Sequence, residues 1–194
     1  MISDSSKQVA AFFCRPHRKI VLLLLALVFS LGLWFRLSVP AVPLFNPDSW
    51  GYLHPALSEM AGSGFQQTHG RGIAYPLFLL GVLSATEDFQ SITVAQHAMG
   101  IFAGIVWWVA WMSWCSWLPS VRVGAFWVQC IGIVFLASFL LNASTILHES
   151  AIRPEAIFPA LALGQICLCL IYARARWGSH CPFVACLSGA FSVL

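Results

Sequence analysis

Residues 20–39 read IVLLLLALVFSLGLWFRLSV, an apolar run whose single charge is Arg36. A helix needs about 20 predominantly apolar residues to cross the hydrocarbon core of a bilayer. This run meets that demand, and so do 92–114, 123–141 and 156–172. A further apolar stretch, 182–194, is too short at about 13 residues. The chain therefore reads as the front part of a longer protein. The expected fold is one partial, all-α integral membrane domain over 1–194. It has about four complete transmembrane helices plus a truncated fifth, with short interfacial helices in a long first outer loop. Composition agrees, since charged residues are 9% of the chain where a soluble domain carries roughly a quarter. The net charge of +3 is small and its residues are scattered, so nucleic acid is not an expected partner.

Orientation follows from the placement of lysine and arginine, which favours the cytoplasmic side. Arg15, Arg18 and Lys19 precede the first span, Arg122 lies between the second and third, and Arg174 and Arg176 follow the fourth. With the N-terminus in the cytoplasm all of these fall inside. The loops 40–91 and 142–153 then fall outside, with Asp48, Glu59, Glu87, Asp88 and Glu149. Arg36, near the outer end of the first span, is expected to snorkel outward. The stretch 73–84 is apolar for about 12 residues, a length that suits an interfacial helix better than a span. If it crossed, every later basic residue would change sides, so it is read as lying at the outer surface. The seven cysteines form no C-x-x-C pair and are odd in number, which gives no disulfide or zinc framework.

The first outer loop is rich in glycine and proline, yet Trp50, Tyr52, Leu53, Leu57 and Phe65 argue that it is ordered. Residues 48–62 have the makings of a short helix begun by Asp48 or Ser49. Asp48, Tyr52 and Pro55 then share a face. Asp48 before an amphipathic stretch is equally a helix cap and a candidate catalytic carboxylate. Arg71 is a surface residue or a partner for lipid phosphate, and His69 by itself is a loop histidine. Glu87 and Asp88 are expected to cap the second span. In the second outer loop, Pro154 suits the first turn of the fourth span, and Glu155 sits beside its positive dipole end. Glu149, Arg153 and Glu155 open onto the same membrane face as Asp48, so one outward cleft could hold them. Within the second span, Gly100-Ile101-Phe102-Ala103-Gly104 is a small-x-x-x-small pattern suited to close helix packing. Trp107, Trp111 and Trp114 recur as an interfacial aromatic belt.

The order of these pieces resembles the N-terminal portion of the GT-C superfamily of membrane glycosyltransferases, the protein mannosyltransferase and aminoarabinose-transferase-like families among them. The resemblance is carried by Leu33-Trp34-Phe35-Arg36-Leu37 at the end of the first span and by Pro47-Asp48-Ser49-x-x-Tyr52. It continues through His69-Gly70-Arg71, Tyr75-Pro76-Leu77-Phe78-Leu79, Glu149-Ser150 and Arg153-Pro154-Glu155. It implies transfer of a sugar from a polyprenyl-phosphate carrier to a lipid, glycan or protein acceptor, with inversion, at the outer face of a membrane. Asp48 then corresponds to the general base; partial burial would raise a carboxylate above its reference pKa of about 3.9 toward a useful value. Arg71 would pair with the carrier phosphate, and Tyr52 and Tyr75 would stack on or hydrogen-bond the sugar. His69 and Arg153 stand among the substrate-binding positions, and Glu149 or Glu155 would orient the acceptor or a divalent metal ion. The absence of other targeting motifs points to a bacterial inner membrane.

Two other classes compete with this reading. A polytopic transporter fragment needs charged groups along a path, and the mid-span regions hold none, with His97 and Gln129 their most polar candidates. A non-catalytic membrane subunit or inactive fragment is the third class, favoured by the short fifth stretch.

Overall fold

The computed structural model describes residues 16–66, 70, 72–115 and 125–178, and its named elements are helical. They are α1 (Pro16–Ser38), α2 (Ser49–Met60), α3 (Ala74–Thr86), α4 (Gln90–Cys115), α5 (Ala125–Leu140), α6 (Ala143–Ser150) and α7 (Phe158–Gly178), with a 3-10 turn at Pro154–Ala156. Among the described residues, α1 from Arg18 and α4 are by length and composition able to cross a membrane. The 26 residues of α4 extend about 39 Å at the usual helical rise. α5 and α6 pass the same test only as a pair, bent by 44° at their junction. The apolar parts of α3 and α7 are shorter, Ala74–Thr86 and Phe158–Ala173. The architecture is thus a helical bundle with two such helices, or three when the bent pair is taken as one. The stretch 182–194, His69, Arg71 and Arg122 lie outside the described residues.

Both short helices expected in the first long loop are present. Pro76 stands in the first turn of α3, where a missing backbone N–H costs nothing. The Asp88 carboxylate accepts from Gln90 N at 2.9 Å and so caps α4. Glu87 instead closes α3 with φ 55°. The second loop departs from expectation, because most of it is the helix α6. Asn142 explains the difference: its side chain accepts from Ser144 N at 2.9 Å, satisfying a free N–H of the first turn.

Each helix buries one stripe. On α1 it runs Val21, Leu25, Val28, Gly32, Arg36, the i, i+3, i+4 spacing of one helical face. Val21, Leu25 and Val28 pack with Ile133, Leu136 and Leu140 of α5. A second cluster joins Leu53 and Ala56 of α2, Tyr75, Leu79 and Leu83 of α3, Ile92 of α4, and Ile152 and Ile157. Full burial of a large apolar side chain away from water contributes about 1.5–3 kcal/mol. Between lipid-immersed helices that drive is weak, and close packing through small residues replaces it. Gly104 of α4 shows this: a Cβ there would lie 2.9 Å from Leu140 Cδ2. At Gly100 a Cβ would overlap the Glu149 carboxylate and come within 3.0 Å of Arg36 Nη2.

The loops between the long helices are stitched together. Leu44 N donates to Ser150 O at 2.7 Å, and Ile152 N donates to Leu44 O at 3.1 Å, a single parallel bridge. A residue of the first loop is thereby held on the end of α6.

A paired substitution tests the packing. Gly100→Ala should destabilise the protein by about 1–3 kcal/mol through overpacking. Gly81 lies on the exposed side of α3, and a Cβ added there would meet no atom within 4 Å. Gly81→Ala should therefore stabilise the helix by about 0.5–1 kcal/mol. Thermal unfolding in detergent micelles reads both.

Candidate functional site

Arg36 is the fifth member of the buried stripe of α1, and the fold turns it inward. It is 2% exposed, and the expected outward reach does not occur. Its Nε donates to Glu149 Oε2 at 2.7 Å and its Nη2 to Glu149 Oε1 at 2.6 Å. Its Nη1 donates to Gly32 O at 3.0 Å and to Leu140 O at 2.9 Å. Such a two-pronged guanidinium–carboxylate pair is the strongest geometry available to these groups. On the far side of the carboxylate, His97 Nδ1 lies 2.9 Å from Glu149 Oε2. The Glu149 side chain faces the interior of the bundle, 1% exposed, rather than an outward cleft. Ile146, Glu149 and Ser150 are the buried face of α6, and Gly100 opens the space that the carboxylate enters.

A second group of polar contacts surrounds the bridge between the loops. Asn46 Oδ1 accepts from Asp48 N at 2.9 Å and from Ser49 N at 3.1 Å. Asn46 therefore does the capping work expected of Asp48, whose side chain makes no cap hydrogen bond. Ser49 Oγ donates to Ile152 O at 3.2 Å. Asp48 and Arg153 each stand one residue from that bonded pair. Asp48 itself is exposed.

Tyr52 and Tyr75 meet edge to face, with ring centroids 5.3 Å apart. They line a hollow of about 170 Å³ with Gly72, Pro154, Ile157 and Phe158. Gln96 Nε2 donates to Tyr75 Oη at 2.8 Å and to Ala151 O at 3.3 Å. Burial pushes the Tyr75 phenol well above its ordinary range, and hydrogen bonds from Gln96 and the Arg153 backbone pull it back only in part. The phenol keeps its proton at working pH and serves as a hydrogen-bonding group, not a base. Glu155 is exposed on the 3-10 turn and close enough for its charge to act on Tyr75.

The structure thus brings Tyr52 and Tyr75 together at one hollow, with the Arg153 backbone and the Glu155 charge acting on Tyr75 from beside it. It holds Asp48 next to the same loop bridge and places Glu149 deeper, in the ion pair. Among the described residues no group of three or more His, Cys, Asp or Glu side chains is placed to hold a metal ion. Two neighbours of Glu149 were not among the site residues expected from the sequence. Arg36 continues the stripe of Val21, Leu25, Val28 and Gly32, and that spacing is the signal for its inward turn. His97 shares the buried face of α4 with Thr93, Gln96, Gly100 and Gly104.

The buried pair has a measurable signature. Arg36→Met leaves the Glu149 carboxylate buried and uncompensated, and should cost about 3–5 kcal/mol. Combining it with Glu149→Leu should recover most of that loss, because both charges are gone. Denaturant unfolding of the two single variants and the double variant measures the coupling.

Comparison with known proteins finds no matching family model, no matching curated protein and no matching solved structure.

Proposed function

We propose that this chain is an integral membrane protein of the bacterial inner membrane with four spans, within α1, α4, α5 and α7, and a cytoplasmic N-terminus. In that setting α2, α3 and both loop segments lie at the outer face. The reaction proposed is transfer of a sugar from a polyprenyl-phosphate carrier to a hydroxyl of a lipid, glycan or protein acceptor. The observation that carries this reading is the stitching of the two loops. The Leu44 bridge and the Ser49–Ile152 hydrogen bond bring the first-loop acid and the second-loop Arg153 and Glu155 into one neighbourhood. Residues about a hundred positions apart can then act on one substrate.

The chemistry follows from the residue types. Asp48 takes the proton of the acceptor hydroxyl as its oxygen attacks the anomeric carbon. The bond from that carbon to the phosphate oxygen breaks, the phosphate leaves with the electron pair, and the configuration inverts. Arg71 is proposed to hold the phosphate and meet the charge that develops on it. His69 would help place that phosphate. The Tyr52–Tyr75 pair offers an aromatic edge and a protonated phenol to the sugar, and Glu155 and Arg153 orient the acceptor. Glu149 takes part by holding the second loop in place through Arg36 and His97.

The buried charges favour one second reading, a polytopic transporter or non-catalytic membrane subunit, because ionisable groups inside a bundle often mark ion paths. The pair is internally neutralised and its donors are engaged with backbone carbonyls, which suits a structural role better. The deciding assay uses membranes, a polyprenyl-phosphate sugar and a labelled acceptor. Asp48→Asn should insert normally and lower transfer by about 100-fold or more. Full activity in that variant removes Asp48 as the base. A proton-coupled flux abolished by His97→Ala would support the transporter reading instead.

A further inference from the structure

At the end of the bundle opposite the stitched loops, α1, α4 and α5 frame a cleft of about 220 Å³. Its wall is mostly apolar, with Leu22 and Leu25 of α1 and Trp108 and Met112 of α4. Its polar members are Arg18 of α1 and Gln129 of α5. It shares no lining residue with the hollow beside Tyr52 and Tyr75.

The lining is sorted by depth. Arg18 stands in the first turn of α1, Gln129 in the second turn of α5 and Met112 in the last turn of α4. The polar members therefore lie near the helix ends. Arg18, Leu22 and Leu25 follow at i, i+4 and i+7 on one helical face, and Leu25 lies about 10 Å farther into the bundle than Arg18 at the usual rise. A cation and an amide at the mouth thus lead onto an apolar wall, which is the layout that an amphiphile with a charged head requires.

Charge decides the sign of that head. Arg36 is 2% exposed and answered by Glu149, whereas Arg18 is half-buried and lines the cleft. A guanidinium carries five N–H donors, so the contact that Arg18 makes within the chain does not exhaust it. The segment 1–19 that leads into α1 and the segment 116–124 that joins α4 to α5 contain Lys7, Arg15, Arg18, Lys19 and Arg122, with Asp4 as their one acidic side chain. Their net charge stays positive however Asp4 is paired, and a basic surface of this kind draws anionic lipid.

We propose that this cleft holds one anionic phospholipid, its phosphate bonded by Arg18 and Gln129 and the first part of one acyl chain lying along Leu22, Leu25 and Met112. The apolar wall selects a lipid over a soluble anion, since a head group alone would leave that wall uncovered. The site rests on the membrane reading of the chain and needs no sugar transfer.

The test uses the full chain in micelles of a neutral detergent, with native mass spectrometry reading retained dioleoyl phosphatidylglycerol against dioleoyl phosphatidylcholine. One phosphatidylglycerol should be retained about fivefold or more over phosphatidylcholine, the worth of one uncancelled charge beside a basic group. Glycerol phosphate at the same concentration should not displace it. Arg18→Gln should remove the preference, whereas Lys19→Gln, at an exposed residue outside the lining, should keep most of it. Leu22→Trp, at a wall position 49% exposed, fills the cleft and should abolish retention with every charge still in place. Should Arg18→Gln fail to fold in a thermal scan, Leu22→Trp carries the test alone. Equal losses from Arg18→Gln and Lys19→Gln, or retention that survives Leu22→Trp, would mean general attraction to a basic surface and overturn the proposal. Displacement by glycerol phosphate would overturn it too, as the mark of a site for a soluble anion. Sugar transfer is not read in this experiment, so its outcome and that of the Asp48→Asn assay are independent.

Discussion

The Arg36–Glu149 ion pair is the constraint on which the surrounding arrangement turns. Two full charges are removed from water, a step that costs several kcal/mol per ion after relaxation. The pair survives because the carboxylate receives two guanidinium bonds and the imidazole, while Nη1 donates to Gly32 O and Leu140 O. An apolar cluster of equal volume could match its net stability. What the charges add is selectivity, since any register of α1 against α4, α5 and α6 that separates them leaves each one unanswered. Gly100 is part of the same constraint, because a side chain there would occupy the carboxylate's place.

The loops inherit their positions from that pair. With Glu149 drawn inward, the end of α6 presents Ser150 O and Ile152 N to Leu44. Ile152 O in turn receives Ser49 Oγ, which sets the start of α2 and the position of Asp48 beside it. Ala151 O accepts from Gln96, and the same amide reaches Tyr75, so α3 is referred to the same chain of contacts. A disturbance at Arg36 therefore has a physical route to the proposed reaction site, through backbone hydrogen bonds rather than through space.

This division of labour also separates the two polar regions by chemistry. Around the loop bridge, Asp48 and Glu155 are exposed and stand outside the ion pair, which suits groups that must meet a substrate in the proposed sugar transfer. In the bundle, Arg36 and Glu149 neutralise each other, with His97 bonded to the same carboxylate.

Much of the helical layout was legible before any tertiary contact was known. Twenty apolar residues at 20–39, the breaker-rich loop with its two apolar-aromatic segments, the Asp88 cap and the Gly100–Gly104 spacing all announce local structure, and local structure depends on neighbours in sequence. The helix α6 was not read, because its eight residues sit between two apolar runs where a short loop is the simpler reading, although its Asn142 cap and its Ile146–Glu149–Ser150 face are local signals. The inward turn of Arg36 was half written in its stripe. Its partner was not, because Glu149 lies 113 residues away and a helical pattern names the residues on one face without naming the face opposite. An isolated arginine near a helix end is most easily satisfied by water or lipid head groups, so local reasoning sends it outward. Only the packed bundle, with a glycine making room and two carbonyls and a carboxylate converging, makes the inward position the better one.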